Sequence, residues 1–301
     1  MLKTSIYIFV YIFGVIALVW RVVIRCKQNM KGTVRYLAGI AGQSGYGSKS
    51  TAEQVTQDCS SLPPHLTAIV TGATSGIGAE TARVDLRKAG QVKENIQRET
   101  PNAKIIILEI DLSSFASIRK FCSEFLSLDI PLNILINNAG KFSHKLEFSE
   151  DKFEMTFATN YLGHFLLTEL VLEKMIETAR QTGVEGRIVN VSSVIHGWVK
   201  KDHFSFNGML QPKYYNATRA YAQSKLANIM HANQLAKQLK AMNANVTINA
   251  VHPGIVKTGI IRDHKGVITD SIFFIASKFL KTTSQGASTT CYVALSPKRK
   301  G

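Results

Sequence analysis

Leu66–Gly78 reads LTAIVTGATSGIG. Five apolar or small residues, Leu66–Val70, form a short buried-strand pattern that ends at the turn Thr71-Gly72-Ala73-Thr74-Ser75-Gly76-Ile77-Gly78. That turn opens into a stretch with helical spacing. Glycine lets a backbone bend sharply and approach a ligand closely, and the first turn of a helix carries free N–H groups and the positive end of its dipole. A strand, a glycine-rich bend and a helix in this order make a cradle for phosphate.

Further along, the same alternation repeats. Ile105–Ile110 (IIILEI), Leu132–Ile136 (LNILI), Ile188–Val191 (IVNV) and Val246–Val251 (VTINAV) are short apolar runs, separated by polar stretches of helical period such as Ala220–Leu239. Continuous apolar strands alternating with helices predict an α/β fold, a Rossmann-like doubly wound parallel sheet covered on both faces. Ligands in such sheets sit at the carboxyl ends of the strands. Three further motifs fall there. Asn137-Asn138-Ala139-Gly140 follows LNILI, Ser192-Ser193 follows IVNV, and Tyr221 stands four residues before Lys225 in YAQSK. The first is, by itself, only a good turn sequence. A hydroxyl at a strand end can hydrogen-bond a substrate oxygen. The last places a phenol and an ammonium on one helical face, where positive charge favours the phenolate. Of nine tyrosines, only Tyr221 has a lysine at that spacing. Asn160, inside the helical stretch Phe153–Leu167, reads alone as a capping or surface amide.

As a set these residues resemble the short-chain dehydrogenase/reductase family, in its retinol-dehydrogenase-like branch. TGATSGIG, the Asp111-Leu112 pair, NNAG, Asn160 in ATNYLGHF, IVNVSS, YAQSK and His252-Pro253-Gly254 occur in family order from about Leu66 to Leu295. The flanking GQSGYGSKSTAEQVT and QGASTTCYVAL look most like plant members, among them those associated with the protein-import translocon of the chloroplast inner envelope. The resemblance implies a hydride-transferring oxidoreductase with NADP(H) as cofactor, NAD(H) being the alternative, and a carbonyl/alcohol substrate. It implies Tyr221 as the proton donor and acceptor, Ser193 as the holder of the substrate oxygen, and Lys225 as ribose ligand and depressor of the Tyr221 pKa. Asn160 would continue a proton relay. Gly72, Ser75, Gly76, Ile77 and Gly78 would cradle the pyrophosphate, and Asp111 and Leu112 would meet the adenine. Asn138, Ala139 and Gly140 would line the adjoining ribose, and Pro253, Gly254, Val256 and Thr258 the carboxamide. A translocon or regulatory protein partner is a further implication, and the organelle implied is the chloroplast envelope or the endoplasmic reticulum.

Two departures from the family pattern stand out. After Gly78 the spacer AETARVDLRKAGQVKENIQRETPNAK holds no run of three apolar residues and reads as one amphipathic helix, with Val84 running straight into Asp85. A dinucleotide fold places a second strand here, ending about 20 residues past the glycines. Roughly 13 residues, the length of a helix end, a turn and a strand, are absent relative to that pattern. Arg87 and Lys88 are candidates to replace the basic residue that selects NADP. The sequence also stops soon after GASTTCYVAL, short of a last strand, so the domain is expected to be truncated at its C-terminus.

The N-terminus has a different character. Residues 5–24, SIYIFVYIFGVIALVWRVVI, contain a single charge, Arg21, near one end. Twenty helical residues cross about 30 Å of hydrocarbon, so residues 1–24 are expected to form a transmembrane anchor. Residues 25–64, basic and then Gly/Ser-rich, form a linker, and residues 65–301 the catalytic domain. Lys3 precedes the span, whereas Arg25, Lys27, Lys31 and Arg35 follow it. Positive-inside bias then leaves the domain on the cytoplasmic or stromal side.

Net charge is +15, from 36 Lys+Arg against 21 Asp+Glu. Residues 1–52 hold seven basic residues and no acid, and Lys298, Arg299 and Lys300 add three at the other end. The body is close to balance, so no nucleic-acid footprint is expected. Cys26, Cys59, Cys122 and Cys291 show no metal-ligand spacing, and no metal site is expected. Two functions follow: a membrane-anchored oxidoreductase, or a catalytically silent relative that serves as a regulatory binding partner or is a non-functional isoform.

Overall fold

Four parallel strands carry the domain: β1 (Ala68–Val70), β2 (Ile134–Asn137), β3 (Gly186–Val191) and β4 (Val246–Val251), hydrogen-bonded in that order. The computed structural model describes residues 39–42, 44–58, 66–73, 77, 104–199, 204, 215–254, 256 and 281–296. The chain divides into two units, Met1–Ser50 and Thr51–Gly301. In the first, the described residues form turns, with Gly42 N–H donating to Tyr46 O at 2.9 Å. The sheet belongs to the second. Ala68, Ile69 and Val70 lie opposite Ile134, Leu135 and Ile136, and Ile188 opposite Ile248.

Side chains alternate across a strand, so the sheet has two apolar faces. On one, Ile69, Leu135, Ile188 and Ile248 pack with Ile118, Phe121 and Phe125 of helix α2 (Phe115–Ser127), with Leu167, Val171 and Met175 of α3 (Gly163–Thr182), and with Leu235 and Leu239 of α4 (Ala217–Ala241). On the other, Ile134, Ile136, Val189, Val191 and Val251 pack with Ala294 of α5 (Thr283–Leu295). A short helix α1 (Ala52–Gln57), closed by a capping box between Thr51 and Gln54, packs against α5. The doubly wound parallel sheet expected from the sequence is therefore present.

Helices α2, α4 and α5 start where a small polar side chain offers an acceptor. Ser114 caps α2, Asn216 caps α4 and Thr282 caps α5, each to the N–H three residues on. These bonds satisfy donors that have no partner inside the helix. Helix α3 is entered through a turn at Met155–Phe157 and a π-helical turn at Ala158–Leu162, and it ends at Gly183 in the left-handed region.

One expected strand is missing. Ile105–Ile110 is described and carries no strand. Leu108 and Ile110 still pack on the core, whereas Ile106 is 43% exposed. The reason is pairing, since β-propensity supplies side chains that suit a pleated surface but no hydrogen-bond partner. In a doubly wound sheet this segment pairs with the second strand, and among the described residues no strand lies beside it. It does not slide across to β1 either, whose one paired edge among the described residues faces β2. The spacer helix expected over 79–104 lies almost wholly outside the described residues, as does the membrane span at 5–24. Among the described residues, no helix is long and apolar enough to cross a membrane.

Candidate active site

The carboxyl ends of β1, β2 and β3 and the first half of α4 converge on one place. Gly72 follows β1 with φ +64°, and a Cβ built there would come within 2.7 Å of Ala139 Cα. Only glycine allows the bend after β1 to lie directly against the NNAG turn after β2. Thr71 fastens the two. Its hydroxyl accepts the N–H groups of Asn138 and Ala139 at 3.0 and 3.1 Å, and its carbonyl accepts from Asn138 Nδ2 at 3.0 Å. The amide of Asn138 is thus spent on backbone, and its contribution to a cleft is the shape of the turn.

Asn160 comes from the π-helical turn and is fully buried. Its Oδ1 accepts Lys141 N–H at 2.7 Å, and its Nδ2 donates to Lys141 O at 3.0 Å and to Ser224 Oγ at 3.1 Å. Ser224 Oγ in turn donates to Tyr221 O at 2.7 Å. The side chain expected to relay protons therefore braces the loop after NNAG against α4.

Helix α4 presents Tyr221 and Lys225 one turn apart. Lys225 Nζ donates to Val191 O at 2.8 Å and lies 5.6 Å from the Tyr221 ring centroid. Ser192 Oγ donates to Lys225 O at 2.7 Å, so the end of β3 is tied to this lysine twice. Ser193, next in the chain, caps the short helical turn Val194–Trp198, which packs on α4. A Cβ built on Gly140 would lie 3.7 Å from Asn160 Oδ1 and 3.8 Å from Lys225 Nζ. Gly140, Asn160 and Lys225 thus face a common space, and Tyr221 borders it with Phe142, their rings 5.6 Å apart.

The electrostatics differ from the expectation that Lys225 lowers the Tyr221 pKa. Burial carries the Tyr221 phenol up, from 10.0 to about 12, and the Lys225 ammonium down, from 10.5 to about 8. Both groups have left water, and loss of hydration disfavours each charged form. At this separation the ammonium does not offset that loss in the protein alone.

The remaining candidates divide. Asp111 Oδ1 accepts from Ser113 N and Oγ at 2.8 and 2.7 Å, and the side chain is otherwise exposed at the start of α2. Leu112 is buried in the core, and its carbonyl faces Gly163, where any Cβ would collide with it. Ile77 and Val256 meet at the first turns of α5, against Gly286. Pro253 and Val256 are buried and Gly254 has φ +93°. Ser75, Gly76, Gly78 and Thr258 lie outside the described residues.

Sequence reasoning missed a layer of buried polar groups beneath this site. Asn137 Nδ2 donates to Asn190 Oδ1 at 2.8 Å, Asn190 Nδ2 to Asn228 O at 3.2 Å, and Asn228 Nδ2 to Asn160 O at 3.1 Å. His164 sits beside them, 1% exposed. The available signal was an amide at the same place in two neighbouring apolar strands, Asn137 opposite Asn190. A buried polar side chain must find partners, so two at one register point to a network.

Comparison with known proteins agrees with this arrangement. The profile of the family described as short chain dehydrogenase matches residues 66–265. Short-chain dehydrogenase TIC 32 B, chloroplastic, of Brassica napus is 47% identical over 278 residues, covering 88% of this chain and 86% of that one. Human retinol dehydrogenase 11 is 39% identical over 245 residues, covering 77% and 73%. Among solved structures, a short chain dehydrogenase from Burkholderia cenocepacia in complex with NADP superposes with TM-score 0.57 at 22% identity, covering 76% of this chain and 90% of that one. An NADPH-bound carbonyl reductase from chicken fatty liver gives 0.54 at 22%, covering 78% and 92%. The sheet order, the glycine bend against NNAG, the Tyr221/Lys225 helix and these likenesses together place the chain in the short-chain dehydrogenase family.

Proposed function

We propose that this protein is an NADP(H)-dependent oxidoreductase acting on a hydrophobic carbonyl/alcohol pair, held at a membrane by residues 5–24. The observation that carries the reading is the convergence of Gly140, Asn160 and Lys225 on one space bordered by Tyr221. The residues fit a dinucleotide. The bend at Gly72 is closed flat against Ala139, whereas at Gly140 an added Cβ would make only ordinary van der Waals contact, at 3.7 and 3.8 Å, with Asn160 and Lys225. Gly72, Ser75, Gly76, Ile77 and Gly78 would hold the pyrophosphate, Asp111 and Leu112 the adenine, and Asn138, Ala139 and Gly140 the adjoining ribose. Pro253, Gly254, Val256 and Thr258 would hold the carboxamide. NADP(H) is taken as the form because both solved neighbours carry it.

The bound nicotinamide supplies or accepts hydride. The chain's residues do the rest. Tyr221, neutral at physiological pH, donates a proton to the substrate oxygen during reduction and takes one back during oxidation. Ser193 donates a hydrogen bond to the same oxygen, stabilising charge that develops there. Lys225 ligates the ribose through the donors not held by Val191 O. Phe142 and the Tyr221 ring give an apolar wall suited to a hydrophobic substrate.

The anchor and the organelle belong to the same proposal. An apolar N-terminal span, a basic flank after it and a chloroplastic relative at 47% identity favour an envelope membrane. A translocon partner is the proposal that the name of that relative suggests. The silent-relative alternative lacks a comparable observation in its favour.

Titration of the purified protein with NADPH, followed by cofactor fluorescence and thermal shift, tests the reading. Saturable binding with a raised melting temperature is expected, together with reduction of a hydrophobic aldehyde that Tyr221→Phe abolishes. No binding at millimolar NADPH would remove the proposal.

A further inference from the structure

His164 lies at the first turn of α3, behind the site rather than in it. Its Nε2 is 2.8 Å from Thr71 Oγ1 and its Nδ1 is 3.1 Å from Asn160 O. A carbonyl oxygen can only accept, so Nδ1 must carry the proton and donate to Asn160. Nε2 is then a lone-pair acceptor, and the Thr71 hydroxyl proton points to it. That frees the Thr71 oxygen lone pairs for the N–H groups of Asn138 and Ala139. One tautomer therefore orders every proton from the NNAG turn, through Thr71 and the imidazole, to the carbonyl of Asn160. That carbonyl also accepts from Asn228 Nδ2 at 3.1 Å. Burial holds the ring pKa near 4, with the neighbouring Lys225 and His231 adding to the lowering and the bond to Asn160 opposing it, so the neutral form persists throughout the physiological range.

We infer that His164 is a positioning residue that ties the cofactor-side bend at Thr71 to the catalytic-side turn at Asn160, with its two nitrogens serving different halves of the site. Nε2 sets the NNAG turn, on which the cofactor ribose and pyrophosphate would rest. Nδ1 sets the Asn160 turn, which braces the loop after NNAG and the Tyr221 helix. The inference rests on the oxidoreductase reading for its kinetic consequences, and on the hydrogen bonds alone for its structural ones.

The two functions separate by substitution. In His164→Asn the amide nitrogen occupies the place of Nδ1, keeping the donor to Asn160 and losing the acceptor for Thr71. In His164→Gln the amide oxygen occupies the place of Nε2, keeping the acceptor and losing the donor. In the cofactor-free protein, 15N NMR is expected to show Nδ1 protonated and no titration of this ring between pH 5 and 9, a window above a pKa of about 4. Hydrogen exchange at the Asn138 and Ala139 amides should quicken in His164→Asn and stay slow in His164→Gln. With cofactor, His164→Asn should weaken NADPH binding about 3- to 10-fold at little cost in kcat, the worth of one neutral hydrogen bond. His164→Gln should lower kcat by a similar factor with the dissociation constant kept. A purely structural role would move both variants alike in every readout, and that result overturns the inference, as does a ring that titrates near 6.5 or carries its proton on Nε2. Should the wild-type chain bind no NADPH, the oxidoreductase reading falls, and the tautomer and exchange measurements still decide the role of His164.

Discussion

Asn160 holds the backbone of Lys141 at both ends of its amide, accepting from Lys141 N–H at 2.7 Å and donating to Lys141 O at 3.0 Å. A two-point grip of this kind fixes the loop after NNAG as a strand partner would, at a place where no strand runs. Replacing Asn160 by alanine leaves both Lys141 groups and Ser224 Oγ short of a partner. Lys141 is exposed and its backbone can turn to water, so a loss of about 1–3 kcal/mol overall is expected in urea unfolding. Asn160→Asp keeps the acceptor, loses the donor and buries a charge, so it should be at least as unstable as the alanine variant.

The glycine bend gives a sharper test. Gly72→Ala must accept φ +64° and a Cβ 2.7 Å from Ala139 Cα. Left-handed strain and overpacking each cost of order 1–3 kcal/mol. Thermal unfolding should show destabilisation, and NADPH affinity should fall with it because the bend and NNAG are pushed apart. Retention of wild-type affinity would mean that this bend is not where the cofactor rests.

Lys225 predicts an alkaline limb. Its folded pKa of about 8 lies below the ordinary 10.5. Between those values the unfolded chain binds a proton that the folded chain has shed, so stability rises with pH across that window from this group. The Tyr221 phenol, raised to about 12, acts in the opposite sense above pH 10. Melting temperature is therefore expected to gain on going from pH 8 to 10, and the gain should shrink in Lys225→Met, leaving the part that Lys281, also lowered by burial, contributes. NADPH binding should run the other way, weakening above pH 8 by up to about tenfold per unit as the ammonium is lost, and Lys225→Met should be weak and flat.

An acid limb comes from a residue outside the site. His231 is buried against the rings of Tyr161 and Phe165, its Nε2 has no hydrogen-bond partner among the described residues, and burial lowers its pKa from 6.5 to about 4. The folded chain resists a proton that the unfolded chain takes up, so this group's contribution to stability falls with pH from 6.5 toward 4, by up to about 1.4 kcal/mol per unit, in the same sense as those of His164 and His252. His231→Phe keeps an aromatic ring there and removes the titration. Unfolding in urea at pH 5 should show a gain of ~1–2 kcal/mol over wild type, shrinking toward pH 7.

Much of the site could be read from residues alone. A glycine bend, an amide turn, a serine pair and a tyrosine four positions before a lysine each carry their own local geometry. The alternation of apolar runs and helical stretches says which strand end each will occupy. What lay beyond reading were residues whose meaning is relational. Thr71, His164, Asn190 and Asn228 look like ordinary polar residues until the fold brings residues up to 93 positions apart into hydrogen-bond contact. Asn160 reads alone as a capping or surface amide, and the fold gives its side chain Lys141 and Ser224 to brace.

The amino-acid sequence by itself determined the class of sheet, five apolar runs of which four became its strands, and the chemical groups at the strand ends, since propensity, spacing and side-chain type are local properties. The tertiary structure alone decided that Ile105–Ile110 is no strand, that Tyr221 and Lys225 are both pressed toward neutrality, and that buried amides and a histidine lie under the site. A strand exists only with a partner, a pKa depends on how much water is removed, and a buried polar group is defined by what it touches. Each of these is a property of pairs and surroundings, and they come into being when the chain closes on itself.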